Sequence, residues 1–231
     1  MRFPRWSRVQ HLHEIQQWST GLLRTMGMEL YQERHWHTQL SVESNPLLLI
    51  SNHVSWLDIL VIQAIYPCYF VAKVEVKKWP VLGRLIQGCG VIFVDRSSTN
   101  SAHKMVDEVS KLLRQGYAVA GFPEGTSSQG YAVSHFHANL FEAAISCEAL
   151  VQPLALRYVN PQSGVLCEAA AFVGDMGFAK SLHGVLRQPS TLINVSIGDS
   201  ISPLGHSRKS LAQLCQQTVS KQLVEMRASS P

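Results

Sequence analysis

The sequence predicts an α/β fold: a mixed, largely parallel central sheet covered by helices on both faces, with an N-terminal helical extension. Two observations predict it. Short, largely apolar runs recur at residues 47–51, 69–72, 90–94, 117–122 and 150–156, and they read as strands buried on both sides. Segments with helical spacing of apolar residues alternate with them, and strand–helix alternation is the mark of a sheet with helices on its faces. A chain of 231 residues accommodates one such domain and a short extension, divided as residues 1–40 and 41–231. With 46% hydrophobic and 16% charged residues it has the material for a core, which excludes a disordered chain.

In chain order, residues 5–36 form a candidate helical region. Ile15, Trp18, Leu22, Leu23, Met26 and Leu30 follow a 3.6-residue period, and Arg2, Arg5 and Arg8 precede this stripe. Gly21 and Gly27 weaken the helix and suggest a bend between two helices. Such an amphipathic segment either packs on the domain's own core or lies among lipid headgroups, and both readings stand. A strand at 47–51 leads to a helix at 56–65, then a strand at 69–72. Pro80 suits the first position of a short helix. The strand 90–94 precedes the clearest helix, 101–114, with Met105, Val106, Val109, Leu112 and Leu113 on one face. Asn100 is its expected cap and Gly116 its stop. A strand at 117–122, a helix at 138–147 and a strand at 150–156 follow. Strands at 165–173 and 192–197 and a helix at 210–226 complete the reading.

Composition excludes several functions. The net charge of +4 suits an anionic substrate or membrane face, and no basic run interleaved with aromatics points to nucleic acid. Cys68, Cys89, Cys147, Cys167 and Cys215 are odd in number and at no metal-ligand spacing, which reads as reduced thiols in a cytosolic protein. The pairs His11/His13, His35/His37 and His135/His137 have no Cys or carboxylate set to complete a metal site, so no metal is expected. Gly88-x-Gly90 falls short of a dinucleotide fingerprint, and no Gly-x-Ser-x-Gly elbow occurs. The longest apolar uncharged run, residues 59–72, is shorter than the ~20 residues of a transmembrane helix and contains Gln63 and Pro67. There is no signal-peptide pattern at the N-terminus. The expectation is a peripheral (monotopic) protein on the cytoplasmic face of a membrane.

The chemistry starts at Asn52-His53-Val54-Ser55-Trp56-Leu57-Asp58, directly after the first strand. A neutral imidazole takes a proton from an alcohol, and a carboxylate holds the ring's other N–H. Five residues rotate by about 140° on a regular helix, so His53 belongs to the strand-to-helix turn, with Asp58 reaching back from the helix. This is serine-hydrolase logic without the serine, and the hydroxyl of a substrate can take its place. Asn52 is either an orienting amide or a turn residue. Phe122-Pro123-Glu124-Gly125-Thr126-Ser127-Ser128 follows another strand, with the Glu124 carboxylate emerging where Gly125 permits a sharp turn. The N–H groups of Gly125 and Thr126 are candidates for substrate oxygens. Asp95-Arg96 ends a third strand, as a surface pair or as a guanidinium fork for phosphate.

Taken in chain order, Asn52–Asp58, Gly90-Val91-Ile92-Phe93-Val94-Asp95-Arg96 and Phe122–Ser128 resemble the glycerolipid acyltransferase family, which includes the 1-acylglycerol-3-phosphate acyltransferases. The likeness extends to Lys73-x-Glu75, Trp79-Pro80-x-Leu82-Gly83 and Val151-Gln152-Pro153-Leu154-Ala155, and covers residues 45–160. It implies a phospholipid-biosynthetic acyltransferase with an HX4D motif: His53 as general base and Asp58 as its orienter. It also implies Glu124 as a positioner of the acceptor, and Arg96, joined by Lys73 or with Lys73 merely solvated, on an acceptor phosphate. The donor it implies is acyl-CoA or acyl carrier protein, the acceptor a lysolipid at a membrane surface, and no cofactor. Phosphate-acceptor members often carry arginine where this chain has Ser127, and Thr126-Ser127-Ser128 with Gly174-Asp175-Met176 looks like bacterial members that acylate lyso-ornithine lipid. A thioesterase and a non-catalytic lipid-binding protein are the alternative readings.

Overall fold

The structure is a computed structural model that describes residues 8–32, 46–73, 91–94 and 101–228. The first two arginines, Asp95, Arg96, the helix expected after Pro80 and the Asn100 cap lie outside the described residues, as does the side chain of Lys73. Among the described residues seven strands form one sheet: β1 (Met28–Gln32), β2 (Leu47–Ser51), β3 (Tyr69–Lys73), β4 (Val91–Val94), β5 (Ala118–Gly121), β6 (Leu150–Val159) and β7 (Thr191–Ile197). The described α-helices are α1 (Arg8–Thr25), α2 (Leu57–Ile65), α3 (Ser101–Arg114), α4 (Asn139–Ser146), α5 (Phe178–Leu186) and α6 (Arg208–Ala228). The strand order is β1-β7-β6-β2-β5-β3-β4, and among the described strands only β6 and β7 run antiparallel. This is the mixed, largely parallel sheet that the alternation predicted.

Why the central strands read as continuous apolar runs is visible in β2. Leu47 and Leu49 face a cluster built with Leu23 of α1, Met26 in the turn after it, and Leu60 and Val61 of α2. Leu48 and Ile50 face the opposite cluster, with Val109 and Leu113 of α3, Phe141 of α4 and Val219 of α6. Each wholly buried leucine contributes about 1.5–3 kcal/mol of transfer free energy, so both faces must be apolar. α3 runs as expected from Ser101 to Arg114 and stops at Gly116, whose φ is +73°.

Three expectations are corrected. The helical reading of the N-terminal region ends at Thr25: Met28–Gln32 is a strand pairing in parallel with β7, Met28 opposite Thr191. Gly27, at φ +71°, breaks the helix, and its carbonyl accepts the Thr191 N–H at 3.0 Å. Leu30 therefore matched the helical period by coincidence, and it is exposed. Residues 165–173 are no strand; they hold a single bridge, Val159 to Leu166, and a 3₁₀ turn at Glu168–Ala170. β6 pairs with β2 only as far as Leu154, and along the length beyond it the chain meets β6 at that one bridge and then turns at Glu168–Ala170. Finally, β6 runs on past residue 156 to Val159 and includes the buried Arg157, a cation that the apolar pattern could not admit. Its guanidinium donates to the carbonyls of Met226, at the end of α6, and Gly164.

Candidate active site

β2, β5 and β6 lie side by side and parallel, and their carboxyl ends deliver the candidate residues to one place. Ile50 is opposite Gly121 and Ser51 opposite Leu154, so the chain leaving β2 meets the chain leaving β5 on one side and the longer β6 on the other. Ligand sites in open parallel sheets lie at such strand ends. Asn52 continues the ladder with its side chain. Its Oδ1 accepts the Leu156 N–H at 2.8 Å and its Nδ2 donates to the Leu156 carbonyl at 3.0 Å. The amide thus replaces a main-chain rung and releases the backbone of residue 53 into the turn.

In that turn His53 Nδ1 stands 2.7 Å from Asp58 Oδ2. An ionised carboxylate only accepts, so the ring proton sits on Nδ1 and the lone pair on Nε2. The imidazole lies flat on Phe122, centroids 4.1 Å apart and planes 7° apart, and keeps 21% of its side-chain surface exposed. Asp58, in the first turn of α2, is wholly buried. Its Oδ2 also accepts the N–H groups of Val54 at 2.7 Å and Ser55 at 2.9 Å, and its Oδ1 accepts the Tyr158 hydroxyl at 2.6 Å. Donors on every side make a buried carboxylate tolerable. Burial first, then the Asp58 charge and hydrogen bond, push Tyr158 well above the usual phenol range.

Glu124 is almost as buried, at 4% exposure. Its two oxygens accept main-chain N–H groups, that of His53 at 2.8 Å and that of Ser134 at 3.0 Å. Gly125 turns the chain at φ +73°, and its N–H closes the turn onto the Phe122 carbonyl at 3.1 Å, while Thr126 is exposed. The Ser128 N–H binds the His53 carbonyl at 2.8 Å. Ser127 donates its hydroxyl to the Phe172 carbonyl, and the Phe172 N–H returns to the Val54 carbonyl at 2.9 Å. Beside Phe122 opens a cavity of about 360 Å³, lined by Val71, Met105, Phe122 and Leu140 with His137 and Asn139 as polar groups.

Asn52, His53, Asp58, Glu124, Gly125 and Thr126 thus come together from two turns. Tyr158 was not singled out from the sequence. Its signal was the alternation Leu154, Leu156, Tyr158 on one face of β6, which places a phenol where an aliphatic side chain would suffice for packing.

Residues 28–157 match the family model described as Acyltransferase. The chain belongs to the acyltransferase family. It is 34% identical over 215 residues to the lyso-ornithine lipid O-acyltransferase of Rhizobium meliloti, covering 82% of this chain and 74% of that one. It is 43% identical over 151 residues to the 1-acyl-sn-glycerol-3-phosphate acyltransferase of Neisseria gonorrhoeae, covering 65% of this chain and 58% of that one. The crystal structure of the 1-acyl-sn-glycerophosphate acyltransferase PlsC from Thermotoga maritima shares the fold, with a TM-score of 0.71 at 20% identity over 99% of this chain and 84% of that one. The acyltransferase match begins at Met28, so the edge strand β1 lies within the matched region.

Proposed function

We propose that this acyltransferase moves a fatty acyl chain from a thioester, acyl-CoA or acyl carrier protein, to the hydroxyl of a lysolipid. The observation that carries the reading is the bond from His53 Nδ1 to the buried Asp58, which leaves Nε2 as the acceptor. In the reaction His53 takes the proton from the lysolipid hydroxyl as its oxygen attacks the thioester carbonyl. The C–O bond forms, the C–S bond breaks, and the imidazolium returns the proton to the departing thiolate. Asp58 holds the ring's orientation and stabilises the imidazolium. The thioester is activated before it arrives, so no step calls for a metal or an organic cofactor.

The acceptor is 1-acylglycerol-3-phosphate or a close bacterial lysolipid. In this reading Arg96 and Lys73 supply cations to a headgroup, and Thr126 stands at the mouth of the site. One observation favours lyso-ornithine lipid as the second reading: the Ser127 hydroxyl is engaged with the Phe172 carbonyl, and no cation stands at that position to grip a phosphate. The membrane surface is where such an acceptor is met. Among the described residues no helix is long and apolar enough to cross a membrane, and Trp18 of α1 is 40% exposed. A tryptophan so placed suits the headgroup region.

The test is an acceptor panel with labelled acyl-CoA, read by lipid mass spectrometry, run beside His53→Ala. Acylation of one lysolipid class is expected, and a cut of about 10²–10⁴ in turnover for the variant. Acyl release to water alone would make the protein a thioesterase, and a near wild-type His53→Ala would remove the base from the mechanism.

A further inference from the structure

We infer that Tyr158 is a positioning residue for acyl transfer: its hydroxyl, 2.6 Å from Asp58 Oδ1, pins the carboxylate and tempers the negative charge that Asp58 presents to His53. The inference rests on the proposed role of His53 as the base. It concerns a residue just beyond the segment that matches the acyltransferase family, which ends at Arg157.

The geometry makes the bond one-sided. Asp58 Oδ2 receives the His53 ring and two main-chain N–H groups, whereas Tyr158 is the donor found on Oδ1 among the described residues. Tyr158 is 1% exposed and Asp58 0%, so water does not stand in readily for the phenol. Strand β6 outruns β2, and its extra length carries a residue of the inward row, Tyr158, over the first turn of α2.

Two consequences follow for the base. A carboxylate with both oxygens bonded cannot swing when the imidazolium forms beside it. A hydrogen bond to Oδ1 also withdraws charge from Oδ2, which weakens the pull on the ring proton and keeps the imidazole neutral, hence competent as a base, to lower pH. The phenol stays protonated throughout, because burial and the Asp58 charge oppose its ionisation.

Among the described residues, the ionisable groups that touch this set are Asp58 from α2, Tyr158 from β6 and, through the main chain of His53, Glu124 from the turn after β5. On the same side of the sheet, His13, Glu14 and Arg24 of α1 and Lys180 and His183 of α5 are exposed, His11 of α1 is half-buried, and the Cys68 thiol is buried and pushed up by burial. The Cys167 N–H donates to the Tyr158 carbonyl, and its thiol lies 3.6 Å from the Thr191 hydroxyl.

The experiment uses the full chain with palmitoyl-CoA and each of 1-acylglycerol-3-phosphate and lyso-ornithine lipid in mixed micelles. It records kcat and kcat/KM against pH for the wild type, Tyr158→Phe and the protein carrying 3-fluorotyrosine at 158. Phenylalanine fills the same space, so packing is kept and the hydroxyl alone is lost. For Tyr158→Phe we expect the acidic limb to move up by about 0.5–1 pH unit, plateau kcat to fall about 3- to 10-fold, and KM to change less than about twofold. The fluorinated phenol is a stronger donor and should move the limb the other way. Superimposable acidic limbs in the wild type and Tyr158→Phe, whatever their melting temperatures, would overturn the inference. If Tyr158→Phe does not fold, an unmoved limb in the fluorotyrosine protein has the same effect. Failure of the base reading is told apart by His53→Ala, whose activity would then be near normal.

Discussion

Two chain segments leave neighbouring strands at the same level of the sheet, and each brings one buried carboxylate to the site, yet the two are bonded differently. Asp58, after β2, accepts two main-chain N–H groups, the His53 ring and a phenol. Glu124, after β5, accepts two main-chain N–H groups, and its link to His53 runs through the backbone. A carboxylate in contact with the ring sets both its orientation and its charge. One that holds the backbone behind the ring sets only where the ring stands. The same residue chemistry and nearly the same burial thus give two separable contributions to the proposed base, His53.

The largest effect that tests this difference belongs to Asp58→Asn. Four donors converge on the carboxylate, and an amide offers them a single acceptor oxygen, so the ring loses its charged partner and some donors lose theirs. Turnover should fall about 10²–10⁴, with a stability loss of about 1–3 kcal/mol for each donor left unpaired. Steady-state rates and urea unfolding measure the two. A loss of turnover below tenfold would mean that Asp58, like Glu124, only places the ring.

Glu124→Gln should act differently and less. The amide keeps one acceptor and turns an N–H₂ toward a donor, loosening the backbone of His53 or of Ser134. We expect kcat to fall about tenfold, an acidic limb at the wild-type pH, and an acceptor KM within about twofold. Should the acceptor KM rise more than tenfold at constant kcat, Glu124 would be gripping the acceptor, and the comparison with Asp58 would have to be redrawn.

Much of this was legible in the residues. The strands of the parallel half were apolar runs because helices cover both faces, and α3 had a periodic face and a glycine stop. His53 and Asp58 were legible as a pair because five residues across a strand-to-helix turn is a local constraint. What was not legible depended on partners distant in sequence. Tyr158 meets Asp58 from 100 residues away, and Asn52 finds Leu156 from 104. No local pattern separates those side chains from packing or turn residues. β1 was hidden because Met26 and Leu30 keep helical spacing across Gly27, and only the free edge of β7 decides that Met28–Gln32 becomes a strand. The expected strand at 165–173 failed because the chain meets the free end of β6 at the single bridge Val159 to Leu166 and then turns at Glu168–Ala170.

The smallest expected effect sets these bonded carboxylates against buried acids in apolar surroundings. Cys215 of α6 packs among Leu211 and Val219, and burial pushes its thiol from 9.0 up to about 12. Cys68, on the opposite face of the sheet, is pushed well above 9.0 by the same cause. A folded-state pKa raised above the unfolded value means that stability is fully present below the unfolded pKa and is lost as pH rises toward the folded one. Urea midpoints should therefore be flat up to about pH 9 and fall between pH 9 and 12, by at most about 1.4 kcal/mol per pH unit for each thiol. Cys215→Ala should make that fall shallower and leave the behaviour below pH 9 unchanged apart from a uniform offset for the lost side-chain volume. Equal slopes in the wild type and Cys215→Ala would mean that the thiol ionises as easily folded as unfolded, and that burial without a hydrogen-bonding partner costs this fold less than its apolar surroundings demand.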